Sequence, residues 1–102
     1  MAPVIAPATE IVLYTRPGCH LCEDAHALLD ALLAERTTAG QAMPPLVERN
    51  IDESDELQRR YGFVIPVVAV GDRELELVTS PAALRRFLAE TLGDTTPHPA
   101  RA

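Results

Sequence analysis

Two cysteines three residues apart, Cys19 and Cys22, stand where an apolar, β-rich run gives way to a long helical pattern. Glu10-Ile-Val-Leu-Tyr14 reads as a short buried strand. Pro17-Gly18 then breaks the direction of the chain. From about His20 to Arg36, the residues Leu21, Ala25, Leu28, Leu29, Leu32 and Leu33 recur at the i, i+4, i+7, i+8 spacing of one helix face. Glu23 and Asp24 fall in the first turn, where the positive end of the helix dipole favours a carboxylate. A strand that turns directly into such a helix opens an α/β unit.

The rest of the chain continues the alternation. Gly40 and Pro44-Pro45 mark a loop, and Leu46 to Ile51 is a second strand candidate. Asp52 is placed to cap a short helix through Tyr61, with Gly62 as its stop. Phe63 to Val70 is the most strand-like run, interrupted by Pro66. Gly71-Asp72 makes a turn, and Glu74 to Val78 returns as a fourth strand. Ser80-Pro81 starts a last helix, Ser at the N-cap and Pro in the first turn, with Leu84, Phe87, Leu88 and Leu92 as its apolar stripe. The order is β-α-β-α-β-β-α. A helix joins the first two strands, so they must be parallel, while the last two are close enough for a hairpin. The expectation is an α/β fold with a mixed four-stranded sheet flanked by three helices. One domain spans residues 10–93, and residues 1–9 and 94–102, rich in Pro and without periodicity, read as flexible tails.

Nine Arg, no Lys and fifteen acidic residues give a net charge of −6. An acidic surface repels phosphate backbones and anionic headgroups, which disfavours nucleic acid and membrane partners. No apolar run approaches the roughly 18 residues of a membrane span. Met1 to Glu10 lacks a basic segment followed by a long apolar one, so no secretory signal is read and a cytoplasmic location is expected. In a reducing compartment two cysteines are a poor structural staple. A bridge closing so short a loop is worth about 2 kcal/mol in the chain-entropy model, against about 4.7 for a 100-residue loop.

Position gives the C-x-x-C its chemistry. Unpaired N–H groups and the dipole at a helix N-terminus stabilise a thiolate, and cysteines so placed have pKa values of roughly 3.5–7.5 rather than about 8.5. The thiolate is the nucleophile of disulfide exchange. Cys19 is therefore expected to attack, and Cys22, three residues on along the same helical face, to resolve the mixed disulfide. His20, if protonated, would lower the pKa of Cys19 further, or else is simply a solvated side chain. A zinc site is the main rival reading. It needs four ligands, and the chain offers two Cys with His20, His26 and His98. His20 is expected to point outward, His98 lies in a tail, and His26 reads as a helix-surface residue, so no metal site is expected. A non-enzymatic carrier of metal or an iron–sulfur cluster, and a redox-sensing module, are the alternatives to an enzyme. Pro66 inside an apolar strand removes a ladder hydrogen bond. On the residues alone, a trans bond at a strand end accounts for it, since only about 5–6% of X–Pro bonds are cis.

Tyr14-Thr-Arg-Pro-Gly-Cys-His-Leu-Cys22 resembles the active-site segment of the glutaredoxins, and in its CHLC form a short bacterial glutaredoxin-like group. Asn50-Ile-Asp-Glu and Tyr61-Gly-Phe-Val-Ile-Pro-Val-Val68 resemble the segments that follow in that group, in order. The similarity runs from about Ile11 to Leu92. It implies a thioredoxin-like fold of the glutaredoxin type, with a cis Ile65–Pro66 bond beside the cysteines. It also implies substrate contacts through Ile65 and Pro66, and an anion contact at Arg16, where relatives hold the glycyl carboxylate of glutathione. Thioredoxin proper fits less well. The first strand starts too close to Cys19 for an extra strand and helix, the chain has no Trp, and Leu13 stands where thioredoxins bury an Asp. Glutathione-using members carry a Gly-Gly turn and an Asp after the last strand, where this chain reads Glu76-Leu-Val-Thr-Ser80, and Leu21 replaces their aromatic residue.

The expectation is a thiol–disulfide oxidoreductase acting as a monomer on protein or low-molecular-weight disulfides through Cys19 and Cys22. No resident cofactor is expected. A reductase or small thiol supplies electrons, with glutathione a possible co-substrate.

Overall fold

The computed structural model describes residues 10–93. The expected tails, and with them His98, lie outside the described residues. The strands are β1 (Ile11–Thr15), β2 (Leu46–Asn50), β3 (Val67–Val70) and β4 (Arg73–Leu75), and the helices are α1 (His20–Thr38), α2 (Asp55–Tyr61) and α3 (Pro81–Leu92). They form one mixed sheet in the order β2-β1-β3-β4. β1 pairs parallel with β2, Ile11 opposite Leu46 and Thr15 opposite Asn50. It pairs antiparallel with β3, Leu13 opposite Val68, and β3 and β4 close the expected hairpin. The α/β fold with a four-stranded mixed sheet and three helices is therefore as the sequence pattern indicates. Among the described residues no helix is long and apolar enough to cross a membrane.

Period-two alternation sets the two faces of β1. Ile11 and Leu13 point into the main core with Val68 and Val70 of β3. That face is covered by Ala25, Leu29 and Leu32 of α1 and by Leu84, Phe87 and Leu88 of α3. On a second cluster, Ile51, Tyr61 and Val67 pack with Tyr14, Leu57, Val64 and Ile65. All four residues of β3 are buried, which explains why that strand reads as a continuous apolar run rather than an alternation. Each large side chain taken fully out of water contributes about 1.5–3 kcal/mol.

Local chemistry departs from the expected elements at five places. Asp52 does not cap the second helix. Asn50 Oδ1 accepts from the Asp52 N–H at 2.8 Å and starts a 3₁₀ turn, Ile51–Glu53, and Ser54 Oγ then accepts from the Leu57 N–H at 3.2 Å to cap α2. Gly62 ends α2 in right-handed helical conformation, φ −57°, rather than as a left-handed cap. A Cβ there would lie 2.5 Å from the Gln58 carbonyl oxygen, so glycine is required for room. The strand expected from Phe63 begins only at Val67. The Val64 and Ile65 N–H groups both donate to the Tyr61 carbonyl, which folds the chain into a turn and leaves Phe63 96% exposed. The fourth strand ends at Leu75 because Leu77 takes a left-handed φ of 50°, after which Val78 drops into the core. α1 starts at His20 and runs to Thr38, two residues past the expected Arg36, and Leu21 in its first turn is half exposed.

Tyr61 ties the second cluster to the hairpin. Its ring stacks on Tyr14, centroids 4.2 Å apart, and its hydroxyl donates to Glu74 Oε2 at 2.5 Å. Burial pushes its phenol pKa far above the ordinary value of 10, and the bond to the Glu74 carboxylate pushes it the same way. A raised folded-state pKa favours the native state fully below pH 10, and that contribution disappears as pH rises beyond it. The expected result is that Tyr61 resists ionisation when tyrosinate absorbance is titrated upward from pH 10. The urea midpoint should fall over the same range. Tyr61→Phe should remove both effects, and an unperturbed titration of both tyrosines would contradict this assignment.

Candidate active site

The carboxyl end of β1 delivers the chain to the cysteines. Pro17 and Gly18 make the turn, and Gly18, at φ 78°, supplies a left-handed conformation that other residues adopt at a cost. Cys19 remains extended (φ −100°, ψ 106°) and is the N-cap of α1. Its Sγ accepts from the Cys22 N–H at 3.1 Å, so the sulfur occupies the place a cap oxygen usually takes. Cys19 and Cys22 form a disulfide, Cα atoms 5.2 Å apart. Cys19 is partly exposed, whereas Cys22, one turn in, is only 3% exposed.

The other expected residues fall around this pair. The Ile65–Pro66 peptide is cis. Pro66 is buried, and its carbonyl accepts from the Val78 N–H at 2.9 Å. Val78 and Thr79 in turn share a small cleft with Leu21 and Asp24, which links the proline loop to the C-x-x-C helix. Arg16 Nη2 makes a 2.7 Å ion pair with Asp52 Oδ1, both side chains about 40% exposed. Its guanidinium is thus committed to a carboxylate within the chain, a partner the sequence did not disclose. His20 is 93% exposed with its ring 3.8 Å from the Glu23 carboxylate, so water screens any charge it carries.

Two features of the site go beyond what the sequence indicates. Phe63 and Leu77 are exposed large hydrophobics on the turns flanking the proline, and the Leu77 N–H donates to the Val64 carbonyl at 2.9 Å, which holds those turns together. Leu21, in the first turn of α1, is the third exposed large hydrophobic among the described residues. An apolar residue expected in a strand but found on a turn is the signal that was present and misread. On the other side of the β1–α1 turn lies an open cleft of about 650 Å³, bordered by Cys22, His26, Thr15, Glu48 and Arg49. Among the described residues no cluster of three or more His, Cys, Asp or Glu is arranged to hold a metal ion.

The sequence matches the profile of a glutaredoxin-like domain (DUF836) over residues 10–92. The chain belongs to this glutaredoxin-like family. Two solved structures agree with that assignment. A structural-genomics target protein from X. campestris is 29% identical, with a TM-score of 0.62, covering 78% of this chain and 96% of its own. Protein Ne2328 from Nitrosomonas europaea is 27% identical, with a TM-score of 0.60, covering 83% of this chain and 96% of its own. No curated protein matches the sequence. The glutaredoxin-like domain therefore carries a cysteine pair at disulfide distance at the mouth of its first helix.

Proposed function

We propose that this glutaredoxin-like protein reduces disulfides by a dithiol mechanism. The observation that carries the reading is the asymmetry of the pair: an accessible sulfur at the helix N-cap, bonded to a buried one a turn deeper. In the reduced protein the Cys19 thiolate keeps the Cys22 N–H as a donor and attacks one sulfur of a substrate disulfide. The other substrate sulfur leaves as a thiolate and takes up a proton. Cys22 then loses its proton and attacks Cys19 Sγ, the mixed disulfide breaks, and the second substrate thiol departs. The electron pair has moved to the substrate, and the protein holds the Cys19–Cys22 disulfide. An external reductase or small thiol in a reducing compartment resets it.

Exposed apolar side chains on the cysteine-bearing helix and on the turns flanking the proline favour a protein as substrate. Leu21, Phe63 and Leu77 expose apolar surface that a polypeptide beside its disulfide would cover, next to the Ile65-Pro66 loop. The test is catalysis of insulin disulfide reduction by excess dithiothreitol, with metal content and visible absorbance measured on the protein as purified. The expected result is turnover proportional to protein concentration. A rate no greater than that of dithiothreitol alone, on protein that carries a metal or cluster, would replace the enzyme by a carrier.

A further inference from the structure

The resolving step proposed above needs a proton to leave Cys22, and burial works against it. Removing a thiol from water disfavours its ionised form and leaves it a weak nucleophile. Cys22 nevertheless borders the open polar cleft. His26 lies on the same wall, four residues and one helical turn further along α1. Its Nδ1 is 3.2 Å from Asp30 Oδ2, and its Nε2 is 3.7 Å from Glu48 Oε1 on β2. The second Glu48 oxygen accepts from the hydroxyl of Thr15, a buried residue of β1, at 2.9 Å. Thr15 on β1 thus anchors the Glu48 carboxylate of β2 beside the His26 imidazole of α1, on the cleft that Cys22 borders. The remaining charged groups there are Glu23 on α1, exposed and beside His20, Glu53 on the 3₁₀ turn, Arg49 on β2, and Arg16, already paired with Asp52.

We infer that the His26–Glu48 pair is the proton acceptor for Cys22 in the resolving step. Imidazole is the side chain that exchanges a proton most readily near neutral pH; Asp30 beside Nδ1 leaves Nε2 to take the proton, and the Glu48 carboxylate 3.7 Å away stabilises the charge that results. As the proton passes across the cleft to Nε2 of the neutral His26 ring, the electron pair left on Cys22 Sγ forms the bond to Cys19 Sγ. The bond from Cys19 to the substrate sulfur breaks, and its electrons leave on the substrate thiolate. The pair then returns the proton to solvent. A merely structural ion pair at this exposure would add little to stability and would leave the resolving rate alone.

Ellman's reagent separates the two steps by stopped flow. Reduced protein releases one aromatic thiolate when Cys19 attacks and a second when Cys22 resolves. His26→Gln and Glu48→Gln should each slow the second release by roughly tenfold or more at neutral pH, leave the first within about twofold, and converge on wild type as rising pH ionises Cys22 directly. Melting temperatures measured alongside show that both variants are folded. A second release with wild-type rate and pH profile in both variants would overturn the inference, whatever their melting temperatures. Absence of the first, fast release in wild type would instead overturn the oxidoreductase reading, so the two failures are distinct.

Discussion

Cys19→Ser is expected to abolish disulfide reduction, and Cys22→Ser to stop the reaction halfway. The two cysteines are chemically alike, so their environments must assign the roles. Cys19 is the accessible one, and its sulfur already receives the Cys22 N–H at the positive end of a 19-residue helix. An ionised acceptor makes that hydrogen bond stronger, which favours the thiolate where attack must begin. Cys22 has neither the exposure nor the cap position. Serine at residue 19 removes the nucleophile, and the loss should be on the order of a thousandfold or more. Serine at residue 22 leaves the first attack intact, so an adduct of one substrate thiol on Cys19 should accumulate and be visible by intact-protein mass spectrometry. Accumulation of the adduct in Cys19→Ser instead would reverse the roles.

How far the sequence disclosed this site depends on whether an interaction is local. The strand, the Pro17-Gly18 turn and the first helix were legible because their signals lie within one stretch of chain. Ser80 before Pro81 likewise marked the last helix, and Ser80 Oγ does accept from the Ala83 N–H at 3.1 Å. Where two neighbours offer the same chemistry the sequence does not decide between them: Asp52 and Ser54 can each cap a helix, and only the fold shows that Asp52 is drawn to Arg16, 36 residues away in sequence. Phe63 and Leu77 misled for a different reason. Hydropathy reports what a side chain prefers, not whether the backbone lets it reach the core, and both sit on turns that hold them at the surface. The approach of His26 to Glu48 was invisible because it is made by the parallel register of β1 and β2, which sets Leu13 opposite Glu48.

Glutathione is expected to be a poor donor, at least tenfold slower than a dithiol at equal thiol concentration. The tripeptide carries charge at both ends, and each end must be met. The resemblance implies that Arg16 would meet the glycyl carboxylate, yet its guanidinium is held at 2.7 Å by Asp52, so the ligand must displace an internal carboxylate to use it. The resemblance places the γ-glutamyl end against Glu76 to Ser80, where Glu76 is exposed on the turn after β4. Val78 is buried, and the Ser80 hydroxyl is occupied in capping α3. Glu74 is turned to the Tyr61 hydroxyl and lies 3.6 Å from Arg60. Asp24 is the carboxylate on the small cleft there, but that cleft holds about 120 Å³, well below the roughly 300–1,000 Å³ of ordinary small-molecule sites. A charge-assisted hydrogen bond is worth about 1.5–3 kcal/mol, so losing one weakens binding by roughly ten- to a hundredfold. A dithiol needs neither end, because both its sulfurs act on the Cys19–Cys22 disulfide directly. The measurement compares turnover with glutathione and glutathione reductase against turnover with dithiothreitol or a thioredoxin-type reductase on one disulfide substrate. Equal rates would mean that Asp52 releases Arg16 readily and that the γ-glutamyl ammonium finds a carboxylate the unliganded cleft does not present.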